Sequence, residues 1–254
     1  MLELRNIQKT YNPGTDSETK VFEDFSLSVE RGQFVSIVGG NGSGKTTLLN
    51  IICGSVPIDG GEVRVAGKSI EKIPDYRRYL TMGRVYQNPS LGTCPSLTML
   101  ENLSLADHKG RHFGLTRGVN KGRVDFYRQE LAALGLGLEN KLDVKMGSLS
   151  GGQRQAVALL MATMTPLEFL ILDEHTAALD PKTAETIMEL TGRIIREKRL
   201  TAMMVTHNLR YALEYGDRLL MMNRGKAVLD LAGAEKRRLS TEEILEVFNR
   251  ISME

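Results

Sequence analysis

The segment Gly39-Gly-Asn-Gly-Ser-Gly-Lys-Thr46 constrains this chain more than any other. It fits the spacing G-x-x-x-x-G-K-[ST]. An apolar run at residues 34–38, which reads as a buried strand, precedes it, and a helical stretch from about 45 to 52 follows. A glycine-rich loop between strand and helix lets successive backbone N–H groups turn toward one point, at a helix N-terminus whose dipole favours anions. Lys45 adds a cation that can reach β- and γ-phosphates, and Thr46 a hydroxyl suited to Mg²⁺. Gly39, Asn41, Gly42, Ser43, Gly44, Lys45, Thr46 and Thr47 are therefore the expected contacts of a nucleoside triphosphate. Such a unit belongs to an α/β fold, with its ligand at the carboxyl ends of the sheet strands.

Two further stretches have the chemistry to act on a bound triphosphate. Phe169-Leu-Ile-Leu-Asp173-Glu174 is a hydrophobic strand ending in two carboxylates. Asp173 suits a Mg²⁺ role, while Glu174, one residue on and pointing the other way, can polarise an attacking water as general base. Leu149-Ser-Gly-Gly-Gln153 precedes a helical stretch at 154–164. Ser150 reads as its N-cap, and Gly151 and Gly152 leave a second helix N-terminus open to an anion.

Around these motifs, residues 2–5 alternate and read as an edge strand opening the domain. Strands are expected at 25–29, 62–66 and 202–205, with a hairpin of 218–222 and 227–231 across Asn223-Arg-Gly-Lys226. From about 89 to 165 strand-like runs vanish and helical spacing takes over, clearest in 124–134 with Phe126, Leu131 and Leu134. A helix is expected at 184–198, and Ser240-Thr-Glu-Glu243 reads as a capping box opening a last helix. A net charge of +2, no Trp and only 6% aromatic residues argue against nucleic acid as a partner. Two cysteines make no disulfide framework, and no secretory signal or membrane-length apolar run appears, so the chain reads as cytosolic.

In their order along the chain these motifs resemble those of the ABC (ATP-binding cassette) ATPases, in which Leu149-Ser-Gly-Gly-Gln153 looks like the signature motif. The resemblance places Tyr11 at the position that stacks on adenine and Gln87, in Val85-Tyr-Gln-Asn-Pro89, at that of the Q-loop glutamine, near the metal. It likewise places Asp180, in Ala178-Leu-Asp180, in the D-loop and His207 at the switch histidine. It implies an α/β P-loop NTPase core with a mixed sheet, an N-terminal antiparallel β subdomain and an inserted α-helical lobe. The implied organisation is one domain over 1–254, with the core at about 1–88 and 166–232, the lobe at 89–165 and a C-terminal helix at 240–252. ATP and Mg²⁺ are the implied ligands. The implied assembly is a head-to-tail homodimer, each ATP held between one phosphate loop and the opposite Ser150, Gly151, Gly152 and Gln153. Membrane-spanning permease subunits and an extracytoplasmic solute-binding protein are the implied further partners, with the ATPase on the cytoplasmic face of the membrane.

One departure is His175, which stands where the family usually has Pro; it reads as a backbone variation that also brings a titratable ring close to the nucleotide. Asn12-Pro-Gly-Thr15, Gly39-Gly40 and Glu174-His-Thr-Ala-Ala178 further resemble ATPase subunits of bacterial uptake systems for tryptophan or tyrosine. Two other readings stay open: an ABC ATPase acting without a permease, and a small-molecule kinase. The kinase would share the phosphate loop but would need neither the signature nor Glu174. The apolar stretch at 90–101 is expected to lie mainly in the lobe's core, with a few residues left for a permease helix. Lys236-Arg-Arg238 reads as a solvated charge run, Cys53 as a core thiol, and His108 with His112 as part of a solvated loop rather than a metal site.

Overall fold

Burial alternates along the first two strands, β1 (Leu2–Tyr11) and β2 (Thr19–Val29): Leu2, Leu4 and Ile7 on one and Phe22, Phe25 and Leu27 on the other are buried. The computed structural model in which they lie describes residues 1–111, 114 and 118–253. β1 pairs antiparallel with β2 on one side and with β4 (Gly60–Val65) on the other. The short β5 (Lys68–Ser69) completes a four-stranded sheet of order β2-β1-β4-β5. The opening strand is thus central and not an edge: Leu2 stands opposite Val29 and Val65 at once. Alternation reveals which face is buried, but it cannot count the strands alongside.

The second sheet has six strands in the order β10-β9-β3-β8-β7-β6. β3 (Phe34–Gly39), β6 (Met82–Val85), β7 (Phe169–Asp173), β8 (Ala202–Val205) and β9 (Arg218–Asn223) run parallel, and β10 (Lys226–Ala232) returns antiparallel through the expected hairpin. Its inner strands are apolar on both faces because both faces are covered. Val35, Ile37, Ile171 and Met203 share a core with α1 (Lys45–Cys53) and the antiparallel sheet. Phe34, Leu172 and Met204 join the core on the opposite face.

That second core is built by helices. After the short α2 (Asp75–Arg78) come α3 (Met99–Asp107), α4 (Val124–Ala133) and α5 (Gly151–Thr163), which form the helical lobe. The periodicity of α4 is only partly as expected: Leu131 and Leu134 are buried, but Tyr127 rather than Phe126 is the aromatic at its centre. The Tyr127 hydroxyl donates to Asp107 at 3.0 Å, and that contact lets a polar tip be buried. α6 (Pro181–Lys198) turns Ile187, Met188, Ile194 and Ile195 toward the same core. α7 (Leu209–Glu214), α8 (Gly233–Arg238) and α9 (Thr241–Met253) complete the chain. The capping box before α9 is present in both halves, Ser240 N–H to Glu243 Oε2 at 2.8 Å and Glu243 N–H to Ser240 Oγ at 3.2 Å.

Lys236 is not part of a solvated run. It is buried, and its ammonium donates to the Tyr215 and Gly216 carbonyl oxygens at 3.0 and 2.5 Å. Burial pushes its pKa down to about 8. Sequence cannot separate a lysine that caps buried carbonyls from its solvated neighbours. Cys53 is fully buried, as expected of a core thiol. His112 lies outside the described residues, so the reading of the histidine pair extends only to His108, whose Nδ1 lies 3.3 Å from the Ser104 carbonyl oxygen. Among the described residues no helix is long and apolar enough to cross a membrane.

Candidate nucleotide site

The parallel register brings the candidate residues to one edge. Ile37 stands beside Val205, and Val205 beside Asp173. The carboxyl ends of β3, β8 and β7 therefore emit, side by side, the glycine-rich loop, the Thr206-His207 turn and the Asp173-Glu174 pair. Two backbone bonds lock this edge, Thr206 N–H to Ile37 O at 3.1 Å and Glu174 N–H to Val205 O at 3.0 Å.

The loop is shaped for an anion. Gly44 precedes α1 with φ of 101°, a left-handed conformation, and a Cβ there would lie 3.0 Å from the Phe22 ring, so only glycine fits. No side chain caps α1, unlike α3, α5 and α6, which are capped by Thr98, Ser150 and Asp180. The first-turn N–H groups of α1 have no intrahelical partner. The buried Lys45 ammonium folds back on its own loop, donating to the Gly39 and Gly40 carbonyl oxygens at 2.8 and 2.9 Å and to Ser43 Oγ at 3.3 Å. Burial lowers its pKa, and the Glu174 carboxylate nearby opposes that shift. Thr46 is exposed. The Tyr11 hydroxyl lies 3.5 Å from Thr47 Oγ1, which places the aromatic ring beside α1.

The two carboxylates part company as their adjacency requires. Glu174 adopts φ of 48°, uncommon for a residue with a side chain and a mark of a strained turn. Its Oε1 reaches His207 Nε2 at 2.7 Å, across the β8–α7 turn. Asp173 faces the other way, where its Oδ2 accepts a bond of 2.6 Å from Arg84 on β6. Asp173 Oδ1 makes no hydrogen bond among the described residues. His175 does not join the site: it is buried, its Nε2 lies 3.1 Å from Thr191 Oγ1 on α6, and burial pushes its pKa down to about 4. The ring stays neutral near neutral pH and serves packing, with no titration beside a nucleotide.

The remaining candidates belong to other segments. Ser150 caps α5 in a full capping box with Gln153, the two bonds being 3.2 and 3.3 Å, while Gly151 is exposed and Gly152 buried at the helix start. Among the described residues no hydrogen bond or ion pair joins Ser150, Gly151, Gly152 or Gln153 to the phosphate loop. Asp180 caps α6 through Thr183 N–H at 3.1 Å. Gln87 is exposed, and the carbonyl of the preceding Tyr86 accepts a bond of 3.0 Å from Gln155 of α5. Sequence reasoning missed Arg84 and Gln155, which tie the Gln87 segment to its surroundings.

Thr46 hydroxyl, Asp173 carboxylate and Gln87 amide offer oxygen donors only, a set that suits Mg²⁺. Among the described residues no group of three or more His, Cys, Asp or Glu could hold a metal ion. The residues present therefore fit the metal that a triphosphate brings.

The model of the ABC transporter family matches residues 22–177, more than half of the chain. The chain belongs to the ABC transporter family. A tyrosine transport ATP-binding protein of Clostridioides difficile is 47% identical over 249 residues, covering 98% of each chain. A thiamine import ATP-binding protein of Vibrio parahaemolyticus is 36% identical over 226 residues, 89% of this chain and 88% of its own. A solved ATP-binding cassette, in a dimeric post-hydrolysis state bound to ADP and Pi, superposes with a TM-score of 0.77 at 32% identity, covering 91% of this chain and 98% of that one. This cassette is accordingly an ATP-binding and ATP-hydrolysing subunit of the ABC transporter type, with the P-loop core, N-terminal antiparallel sheet and helical lobe of that fold.

Proposed function

We propose that two copies of this cassette close head to tail on two ATP molecules and that the closing and reopening drive a membrane importer of small molecules such as amino acids. The Glu174–His207 contact of 2.7 Å at the carboxyl edge of the sheet carries this reading. It sets a carboxylate beside the Lys45 loop with its neighbour positioned to steady it. Glu174 takes the proton of the attacking water, and His207 keeps that carboxylate aligned. Lys45 leaves the loop carbonyls for the β- and γ-phosphates, and the uncapped N–H groups of α1 receive the same oxygens. Thr46, Asp173 and Gln87 would hold Mg²⁺, which would supply charge neutralisation to the phosphate oxygens. Tyr11 stacks on the adenine.

Ser150, Gly151, Gly152 and Gln153 complete the partner copy's site, with Asp180 at the seam. The cassette that this chain resembles is dimeric and bound to ADP and Pi, which supports a dimer as the assembly. For the membrane partner, a groove of about 420 Å³ opens between β6, the end of α3 and α5, lined by Tyr79, Gly83, Leu105, Ala106, Lys109 and Met161. Leu80 and Leu105 are exposed nearby. It is an apolar seat for a short helix of a permease subunit, and it would hold the cassette at the cytoplasmic face of the membrane. Of the stretch at 90–101 only Gly92 lines it: Met99 is buried in the lobe and Leu91 lies in solvent. The name of one relative, a tyrosine transport protein, supports transport of an amino acid, and that of the other, a thiamine import protein, supports uptake, which would bring in a solute-binding protein.

Replacing Glu174 by Gln tests the chemistry. Turnover should fall at least a hundredfold, since a general base contributes about 10²–10⁴. ATP affinity should stay within about threefold, and the variant should accumulate as an ATP-bound dimer on size exclusion. Turnover within about twofold of wild type would overturn the role given to Glu174.

A further inference from the structure

Arg84 lies one strand away from the metal-side carboxylate and 89 positions from it in sequence. It sits on β6, the edge strand beside β7, where Val85 pairs with Leu172. Its side chain is 8% exposed, and a guanidinium so buried needs an anionic partner. It has one in Asp173, whose Oδ2 accepts from Nη2 at 2.6 Å, a short charge-assisted bond. The other arm, Nη1, donates to Asn50 Oδ1 on α1 at 3.0 Å. The Cζ of the group lies over the Tyr86 ring, 4.7 Å from its centroid. One side chain therefore joins the phosphate-loop helix, the strand that bears Asp173 and the residue directly before Gln87. The Tyr86 carbonyl is in turn held by Gln155 of the helix that begins with the signature.

We propose that Arg84 is a positioning residue for metal-dependent nucleotide binding: it fixes Asp173 through one carboxylate oxygen and keeps the other for Mg²⁺, while coupling that carboxylate to the Gln87 segment. The geometry decides between two effects of opposite sign. A cation beside Asp173 weakens the carboxylate's field, so simple charge removal would tighten Mg²⁺ binding. Fixing the carboxylate removes the cost of ordering it, so loss of the anchor weakens Mg²⁺ binding. Arg84 engages α1 and β7 with a planar fork and also meets the Tyr86 ring, a costly arrangement for a mere counter-charge, and the anchor dominates. Lysine at this position could keep the charge but not both bonds.

The inference rests on the ATP and Mg²⁺ reading above, and the test separates the two. Calorimetric affinity for ATP is measured in EDTA and in excess Mg²⁺ for wild type, Arg84→Met, Arg84→Lys and Asn50→Ala, with far-UV circular dichroism to check the fold. In EDTA all four should agree within about threefold. The gain in affinity that Mg²⁺ gives should shrink at least tenfold in Arg84→Met, less in Arg84→Lys, and by a few-fold in Asn50→Ala, which keeps the ion pair but loses the α1 anchor. A Mg²⁺ gain equal to or larger than wild type in Arg84→Met would overturn the proposal. So would an equal loss in EDTA and in Mg²⁺, the mark of general structural damage. Should Arg84→Met not fold, Arg84→Lys and Asn50→Ala decide by the same criterion. A wild type whose affinity ignores Mg²⁺ would instead overturn the metal reading itself.

Discussion

The Lys45 ammonium is held by three loop oxygens, at 2.8, 2.9 and 3.3 Å, in a place where burial disfavours its charge. Those bonds satisfy it while keeping it inside the loop, so its release to a phosphate exchanges weak dipoles for a full anion. Charge-assisted hydrogen bonds are worth about 1.5–3 kcal/mol each. Lys45→Ala should therefore weaken ATP binding about ten- to hundredfold in the presence of Mg²⁺, measured by calorimetry. Affinity equal to wild type would remove this loop from the site. His175 illustrates the opposite case at this scale. The sequence position suggests a ring beside the nucleotide, but the left-handed turn at Glu174 sends the following side chain inward, to Thr191 on α6. A backbone angle, invisible in the sequence, decides which neighbour faces the ligand.

Elements hold that loop from behind. The turn of the β9–β10 hairpin presses on it: Gly225 N–H donates to the Ser43 carbonyl oxygen at 3.1 Å. Gly225 has φ of 74°, and a Cβ there would stand 1.8 Å from the Val21 carbonyl oxygen of β2. Alanine must therefore move the hairpin or β2, and with either the loop's support. Gly225→Ala should cost about 2 kcal/mol or more, a loss of roughly 4–8 °C in Tm for a chain of this size. ATP affinity should fall as well. Gly14, with the same φ and open space around it, is the control: Gly14→Ala should cost only about 1 kcal/mol, the strain of the backbone alone. Equal melting shifts for the two would mean that the hairpin does not bear on β2. At this scale the sequence is readable where a segment is apolar and of element length. β3, β7 and β8 are continuous apolar runs because both faces of their sheet are covered, and the hairpin is marked by its Asn-Arg-Gly turn. β6 is unreadable for the inverse reason: Met82-Gly-Arg-Val85 is four residues long, and its Arg84 is paid for by an ion pair with a strand far away in sequence. Motif spacing likewise marks the residues at the sheet edge, but contacts distant in sequence, such as those of Arg84 and Gln155, leave no local signal.

At the scale of the whole molecule, the phosphate loop and the Ser150 helix start belong to different bodies of the fold, the first to the parallel sheet and the second to the helical lobe. If each completes the partner's site, damage to one and damage to the other fall on opposite halves of the same composite site. Ser150→Arg puts a bulky chain into the helix start proposed to complete the partner's site and breaks its cap, and Lys45→Ala breaks the loop. Each variant alone should be inactive, since both of its sites are damaged. Mixed, the two should form heterodimers in which one site receives the good loop of the Ser150→Arg chain and the good helix start of the Lys45→Ala chain. ATPase activity, measured as phosphate release against mixing ratio, should rise above either variant and peak near equal amounts. Random pairing puts half of the dimers in the mixed form, each with one of two sites intact, so the peak should approach about a quarter of wild type if the sites act independently. A site completed within one chain predicts no rescue at any ratio, because every chain would carry one broken half. Flat activity across the titration, with heterodimers demonstrated by differential tagging and a one-site control active, would therefore refute the head-to-tail arrangement while leaving the assignment of the phosphate loop untouched.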